Sequence, residues 1–337
     1  LVGCGDGSVT IVDTIEKVNE VFIKYRPLFS RKKWKNRHEN AVSAVHWYPF
    51  DTGLFVSSGM DCSVFAWNTN LLQVVTKFEF DYDDRVNDCA LSPIATTHSL
   101  IATATEATHV RLCDIRTGAF AHSLMGHSKP VWSVAWSPRD EHMLASGSVD
   151  HTIRLWDIRR PGSLMVLDMH NNVNPSLNKN FINPKDSVRS RYVQSHSGAV
   201  QSLQFTPDGH HVISSGTDRR IRMWDTKSGK NTFVNYERPR SVSRKTNIAF
   251  SHSGDLLFVP SAKTIQIQSV HSGMLINVLR GHFDSVNCCA VHPRNVELYS
   301  GSVDHMLLVW TPKSASSAAS RLINFDDSNK NSDEWSD

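Results

Sequence analysis

His127, Ser146 and Asp150 lie within one short stretch, and these are the three side-chain types that cooperate in nucleophilic hydrolysis. A hydrolase needs such a constellation once. This chain repeats it four times, and each copy adds a tryptophan: His127, Ser146, Asp150 and Trp156; His38, Ser57, Asp61 and Trp67; His196, Ser214, Asp218 and Trp224; His282, Ser300, Asp304 and Trp310. In every copy the serine stands ten residues before the tryptophan and the aspartate six, while the histidine precedes the aspartate by 22 or 23. A spacing kept four times belongs to a repeated structural device. The indole N–H only donates, the hydroxyl and imidazole do both, and the carboxylate only accepts, so the four can close a chain from Trp through Ser and His to Asp. We read them as a buried network that fixes packing, and no enzymatic activity is expected.

The elements that must position these groups are strands. "MLASGS" and "TIRLW" flank the polar corner "VDHT", the pattern of a hairpin. A period of two sends Ile153 and Leu155 to one face and Arg154 and Trp156 to the other. Degenerate copies place Val12, Cys113 and Gln268 at the tryptophan position, so repeats end near residues 12, 67, 113, 156, 224, 268 and 310. Self-similarity at about 40–45 residues is the mark of a propeller array. The expected fold is all-β, a seven-bladed propeller over residues 1–312 with the first repeat incomplete. The remaining 313–337, ending in the acidic "NFDDSNKNSDEWSD", are expected to be a disordered tail, with Trp335 either a partner anchor or inert.

Composition narrows the function classes. Of 337 residues, 36 are Lys or Arg and 33 Asp or Glu, a net charge of +3, too mild to mark a nucleic-acid binder by itself. No apolar run approaches a membrane span. There is no signal peptide, but the chain starts at Leu1 inside a strand pattern, which points to a segment upstream. The six cysteines, Cys4, Cys62, Cys89, Cys113, Cys288 and Cys289, lack CxxC spacing and are read as buried small hydrophobes in strands. No metal, nucleotide or other cofactor is expected: HExxH and GxxxxGK[ST] are absent, and "GCGDG" at residues 3–7 reads as a hairpin turn. One basic concentration, "KYRPLFSRKKWKNR" over 24–37, gathers Lys24, Arg26, Arg31, Lys32, Lys33, Lys35 and Arg37 around Phe29 and Trp34. It can bind phosphate and stack bases, or serve as a nuclear-localisation patch, or be a solvated loop. The Asn- and Ser-rich insertion 171–195, broken by Pro175 and Pro184, reads as a flexible loop.

The four tetrads resemble those of the WD40 repeat family over essentially the whole chain. In that family's topology both insertions connect the outer strand of one repeat to the inner strand of the next, at the end that carries the turns "MDCS", "VDHT", "TDRR" and "VDHM". That end is expected to recognise partners through His151, Arg219, Arg220 and His305. At the opposite end, Trp156-Asp157-Ile158-Arg159 resembles the WDxR signature of propellers that serve cullin-RING ubiquitin ligases as substrate receptors. The resemblance implies that Arg159, supported by Asp157 and by Arg116 of the partial copy Asp114-Ile115-Arg116, reaches the adaptor, the large damaged-DNA-binding-protein subunit. "WYPFDTG", "NTFVNY" and "ELYSGS" are not general WD40 consensus and resemble the Cockayne syndrome group A family of repair propellers. That likeness implies a nuclear, non-catalytic receptor in transcription-coupled nucleotide excision repair, working with the Cockayne syndrome group B ATPase, the UV-stimulated scaffold protein and stalled RNA polymerase II. The chain departs from that family where an N-terminal adaptor-docking segment is expected, and its first insertion is more basic. A WD40 scaffold of another nuclear pathway, chromatin or RNA processing, is the alternative.

Overall fold

The computed structural model describes residues 1–12, 27–29, 37–71, 73–171, 193–240, 246–312 and 335–336. Its strands run antiparallel in small sheets, in chain order. The first sheet holds Val2–Gly3, Val9–Val12 and Pro27–Phe29. The second holds Val42–Trp47, Leu54–Gly59, Ser63–Asn68 and Gln73–Glu79, and the third Val86–Leu91, Leu100–Thr105, His109–Asp114 and Ala119–Met125. The fourth holds Val131–Trp136, Met143–Ser148, Ile153–Asp157 and Ser163–Val166. The fifth has Val200–Phe205, His211–Gly216 and Ile221–Asp225. Ala249–Phe250, Leu256–Ser261, Thr264–Ser269 and Leu275–Arg280 make the sixth, and Val286–Val291, Leu298–Ser302, Leu307–Pro312 and Trp335–Ser336 the seventh. Two compact units divide the chain, Leu1–Met165 and Val166–Asp337.

Cores form between consecutive sheets, because a sheet with two apolar faces must cover both. In the first unit, Ala90, Ala102, Leu112 and Leu124 of the third sheet pack on Val131, Val134, Leu144 and Trp156 of the fourth. In the second unit, Ile213, Ile221 and Met223 of the fifth sheet pack on Phe250, Leu257 and Val259 of the sixth. Outer strands face solvent more, as the alternation along Gln73–Glu79 shows. The ladder breaks register at the second residue of the innermost strand in five sheets, at Val42/Ala44, Val86/Asp88, Val131/Ser133, Val200/Ser202 and Val286/Cys288. Bulges of this kind strengthen local twist, and no residue type in the sequence announced them.

Three sequence expectations need correction. Pro27–Phe29 pairs with Val9–Val12, so the first insertion does not sit wholly between an outer and an inner strand. Lys24 and Arg26 precede that outer strand and Arg31 to Arg37 follow it, which divides the basic cluster between two connections; all its cations except Arg37 lie outside the described residues. Trp335–Ser336 pairs with Thr311 and Pro312, so disorder does not extend to these two residues: the free edge of Leu307–Pro312 offers unpaired backbone groups for a strand to join. The rest of the tail lies outside the described residues. Finally, Cys4 and Cys62 are outside strands and only partly buried, and Cys288 is exposed. Cys62 occupies a turn position with φ of 59°.

The fifth sheet stops at three strands. Its fourth position shrinks to an isolated bridge between Trp224 and Asn231, and Phe233, with φ of 58°, turns the chain away from extended geometry.

Candidate functional site

Each tetrad ties a turn to a loop. In the fourth sheet the Trp156 indole donates to Ser146 Oγ at 2.7 Å, Ser146 Oγ lies 2.7 Å from His127 Nε2, and His127 Nδ1 lies 2.9 Å from Asp150 Oδ2. One assignment satisfies all of them: a neutral imidazole whose Nε2 accepts from the hydroxyl and whose Nδ1–H donates to the carboxylate. Burial, the larger influence, pushes the His127 pKa down against the pull of Asp150. Burial pushes the Asp150 carboxyl up, but hydrogen bonds from His127, Thr152 and the Ser128 N–H outweigh it and hold it well below the usual carboxylate range. The arrangement recurs with Trp67, Ser57, His38 and Asp61, with Trp224, Ser214, His196 and Asp218, and with Trp310, Ser300, His282 and Asp304. In the fifth sheet Arg222 Nη1 adds an ion pair to Asp218 at 2.9 Å. These hydroxyls are spent on indole and imidazole at 0–1 % exposure, so none is presented to a substrate.

The turns that carry the aspartates share one backbone device. Cys62, His151, Arg219 and His305, each directly after a tetrad aspartate, have φ of 59°, 70°, 56° and 64°. The N–H of His151, Arg219 and His305 bonds to the carbonyl three residues earlier, a type I turn closed by a left-handed residue. Of the four partner-face candidates, Arg219, Arg220 and His305 are exposed, whereas His151 is half-buried. His151 lies in the first unit, the other three in the second.

At the opposite end of the fourth sheet, the Arg159 guanidinium is gripped by its own neighbour: Nε donates to Asp157 Oδ1 at 2.9 Å, Nη2 to Oδ2 at 2.8 Å, and the Arg159 N–H to Oδ1 at 3.0 Å. A planar fork meets a planar carboxylate in two bonds. These bonds hold the Asp157 carboxyl below its usual range. The Arg159 side chain is still 57 % exposed, and its bonds to Asp157 engage Nε and Nη2 but not Nη1. In the third sheet the Asp114 carboxylate is taken by Ser99, Thr117 and the Arg116 N–H, which leaves the exposed Arg116 guanidinium unclamped. The same end of these two sheets is stitched together by Glu141, whose Oε2 accepts the Thr96 N–H at 2.8 Å.

Sequence reasoning missed the Asp157–Arg159 clamp because an i, i+2 pair leaving a strand has no periodic signature. It also missed the cation stack in which Arg111 lies 5.5 Å from the Phe80 ring and 5.3 Å from the Phe120 ring. Among the described residues, no group of three or more His, Cys, Asp or Glu could hold a metal ion, and no helix is long and apolar enough to cross a membrane.

The WD domain, G-beta repeat family matches residues 31–68, 118–157, 187–225 and 273–311, the four repeats with complete tetrads. The chain is 34 % identical to the WD repeat-containing protein ATCSA-1 of Arabidopsis thaliana over 100 % of its own length and 87 % of that protein. It is 24 % identical to the transcriptional corepressor LEUNIG_HOMOLOG of the same plant, over 91 % of this chain and 40 % of the corepressor. To a guanine nucleotide-binding protein subunit beta of Zea mays it is 28 % identical, over 75 % of this chain and 64 % of the subunit. With its tetrads, its three- and four-stranded antiparallel sheets and these relatives, the chain belongs to the WD40 repeat family and has that family's all-β propeller fold.

Proposed function

We propose that this chain is the non-catalytic substrate receptor of a cullin-RING ubiquitin ligase in transcription-coupled nucleotide excision repair, a nuclear protein that bridges the ligase adaptor to repair factors at stalled polymerase. The observation that carries the reading is the clamped Arg159: a guanidinium held by Asp157, with donors left over for acceptors on another protein. The ATCSA-1 relative, alike over this chain's entire length, supports the same group by its name. In this reading residues 1–312 close as seven blades and 313–337 form an appended tail. Arg159, Asp157 and Arg116 face the large damaged-DNA-binding-protein subunit, while the turn end, with His151, Arg219, Arg220 and His305, receives the Cockayne syndrome group B ATPase, the UV-stimulated scaffold protein and polymerase II components.

Pull-down of the adaptor by the full chain tests this. Arg159→Ala is expected to weaken adaptor affinity by about 2 kcal/mol or more, roughly thirtyfold, with an unchanged melting temperature. Arg160 is the control, since it is 71 % exposed and its Nε is 3.8 Å from Asp157. Equal effects at both arginines would reduce the contact to diffuse charge attraction, and no adaptor capture by the unaltered chain would sink the ligase reading. A scaffold in chromatin is the second reading, favoured by the likeness to a corepressor over 91 % of this chain.

A further inference from the structure

The turn end of the second unit carries an imbalance of charge that its fold does not need. The inner strands of the sixth and seventh sheets run parallel, as the Asn247–Cys288 bridge requires, and the fifth and sixth share one core. The turns after the second strands and the loops before the first strands of these sheets therefore open on one side. Exposed there are Arg219 and Arg220 in the fifth-sheet turn, Lys263 in the sixth-sheet turn and Arg280 at the end of the sixth sheet's outer strand. Exposed Arg240 joins them, placed by its N–H bond to Ser261 Oγ at 2.8 Å. Among the described residues of these turns and loops the exposed carboxylates are Asp284 and Glu237, while Asp218 and Asp304 are committed to their histidines. None of the five cations makes an ion pair within the described structure.

Three arginines elsewhere in the molecule are held by carboxylates: Arg111 by Asp81 at 2.9 Å, Arg159 by Asp157 and Arg222 by Asp218. Five unpaired cations on neighbouring turns repel one another, and a complementary anion lowers that cost. Arg219 holds, with φ of 56°, the left-handed turn position that Cys62, His151 and His305 fill in other sheets, and there it adds a guanidinium charge to the turn. The adjoining turn end of the seventh sheet is apolar, with Phe283 73 %, Val303 48 % and Met306 40 % exposed.

We infer that this basic surface, bordered by Phe283, Val303 and Met306, is a docking site for an acidic protein segment that also carries apolar side chains. A nucleic-acid strand would match the arginines but has no use for the Val303 and Met306 border, and phosphate binding alone does not call for it. The inference rests on the reading of the turn end as a partner face and gives that partner its chemistry.

The probe is a fluorescein-labelled peptide of Glu and Asp with a Leu-Phe pair at one end, titrated with the full chain and followed by anisotropy. Binding is expected, weakening as salt rises. The double variant Arg219→Glu, Arg220→Glu should lower affinity by about tenfold or more, and Lys263→Glu, Arg280→Glu should do likewise from the neighbouring sheet. Phe283→Ala should weaken the peptide severalfold at unchanged salt dependence. Absence of binding, an equal loss with Arg139→Glu at the other end of a first-unit sheet, or tighter binding of a single-stranded DNA oligonucleotide indifferent to Phe283→Ala would each overturn the proposal. Adaptor pull-down by the same variants keeps the two readings apart: loss of peptide with adaptor capture intact concerns this surface, and loss of the adaptor alone concerns Arg159.

Discussion

The third and fourth sheets pack against each other yet hold their turn ends together with different residues. The fourth uses the full tetrad, with imidazole in the loop and carboxylate in the turn. The third reverses the roles: Asp84 stands in the loop where histidine is expected, and its Oδ1 accepts the turn N–H of Ala107 at 2.8 Å. Thr103 replaces the serine and bonds to the Arg111 carbonyl, while Cys113 fills the tryptophan position at 0 % exposure. Arg111, between two phenylalanine rings, covers the loop from the side. What is common is a carboxylate tying loop to turn and an apolar group filling the centre of the strand. The tetrad is one solution to that requirement, and the third sheet leaves its own solution less complete, since Asp84 Oδ2 is buried without a hydrogen bond and has only the Arg111 guanidinium 3.9 Å away.

If this comparison is right, the fourth sheet should be the more sensitive of the two. Trp156→Ala should lower unfolding free energy by about 3–5 kcal/mol, and Cys113→Ala by about 1 kcal/mol, because the indole removes far more buried volume and leaves Ser146 short of a donor. Equal losses in urea titrations would break the comparison. Asp150→Ala should cost about 1–3 kcal/mol by stranding His127 Nδ1 and the Ser128 N–H.

Acid should act on the tetrads in two stages. The His127 pKa is lower in the folded protein than in the unfolded chain, so its contribution is complete above the unfolded value of about 6.5 and declines as pH falls below it. Asp150, Asp218 and Asp304 are likewise depressed, and their contribution is present above about 4 and lost as pH falls further. Urea midpoints measured at successive pH values should therefore fall in both windows, and His127→Gln should flatten the upper one. A midpoint that rises on acidification would contradict the neutral-imidazole assignment.

Smaller effects sharpen the contrast. Asp84→Asn keeps an acceptor for the Ala107 N–H and removes a buried charge, so it should change stability by less than about 1 kcal/mol in either direction; a loss as large as that of Asp150→Ala would show that Asp84 works as a charge. His151→Gly should stabilise by about 0.5 kcal/mol, since relief of φ at 70° exceeds the added freedom of the unfolded chain by little. Thermal melts resolve a shift of that size.

Much of the architecture is legible in residue order because it is built from local, repeated units. Four intact tetrads, strand alternation and the spacing of Trp67, Trp156, Trp224 and Trp310 locate the hairpins, and the hydrogen-bond capacities of the four side chains dictate the order Trp, Ser, His, Asp before any coordinates are seen. Tertiary structure decided what depends on a neighbour that sequence spacing does not name. The bulge after the first residue of the inner strands arises from twist between paired strands, and Pro27–Phe29 and Trp335–Ser336 became strands because open sheet edges were there to be joined. Arg159 was identifiable as an arginine after a Trp-Asp pair, but its grip by Asp157 depends on the turn that bends the chain back at Ile158. The basic surface of Arg219, Arg220, Arg240, Lys263 and Arg280 gathers residues scattered through the second half of the chain, and only the stacking of the fifth and sixth sheets brings their charges to one side.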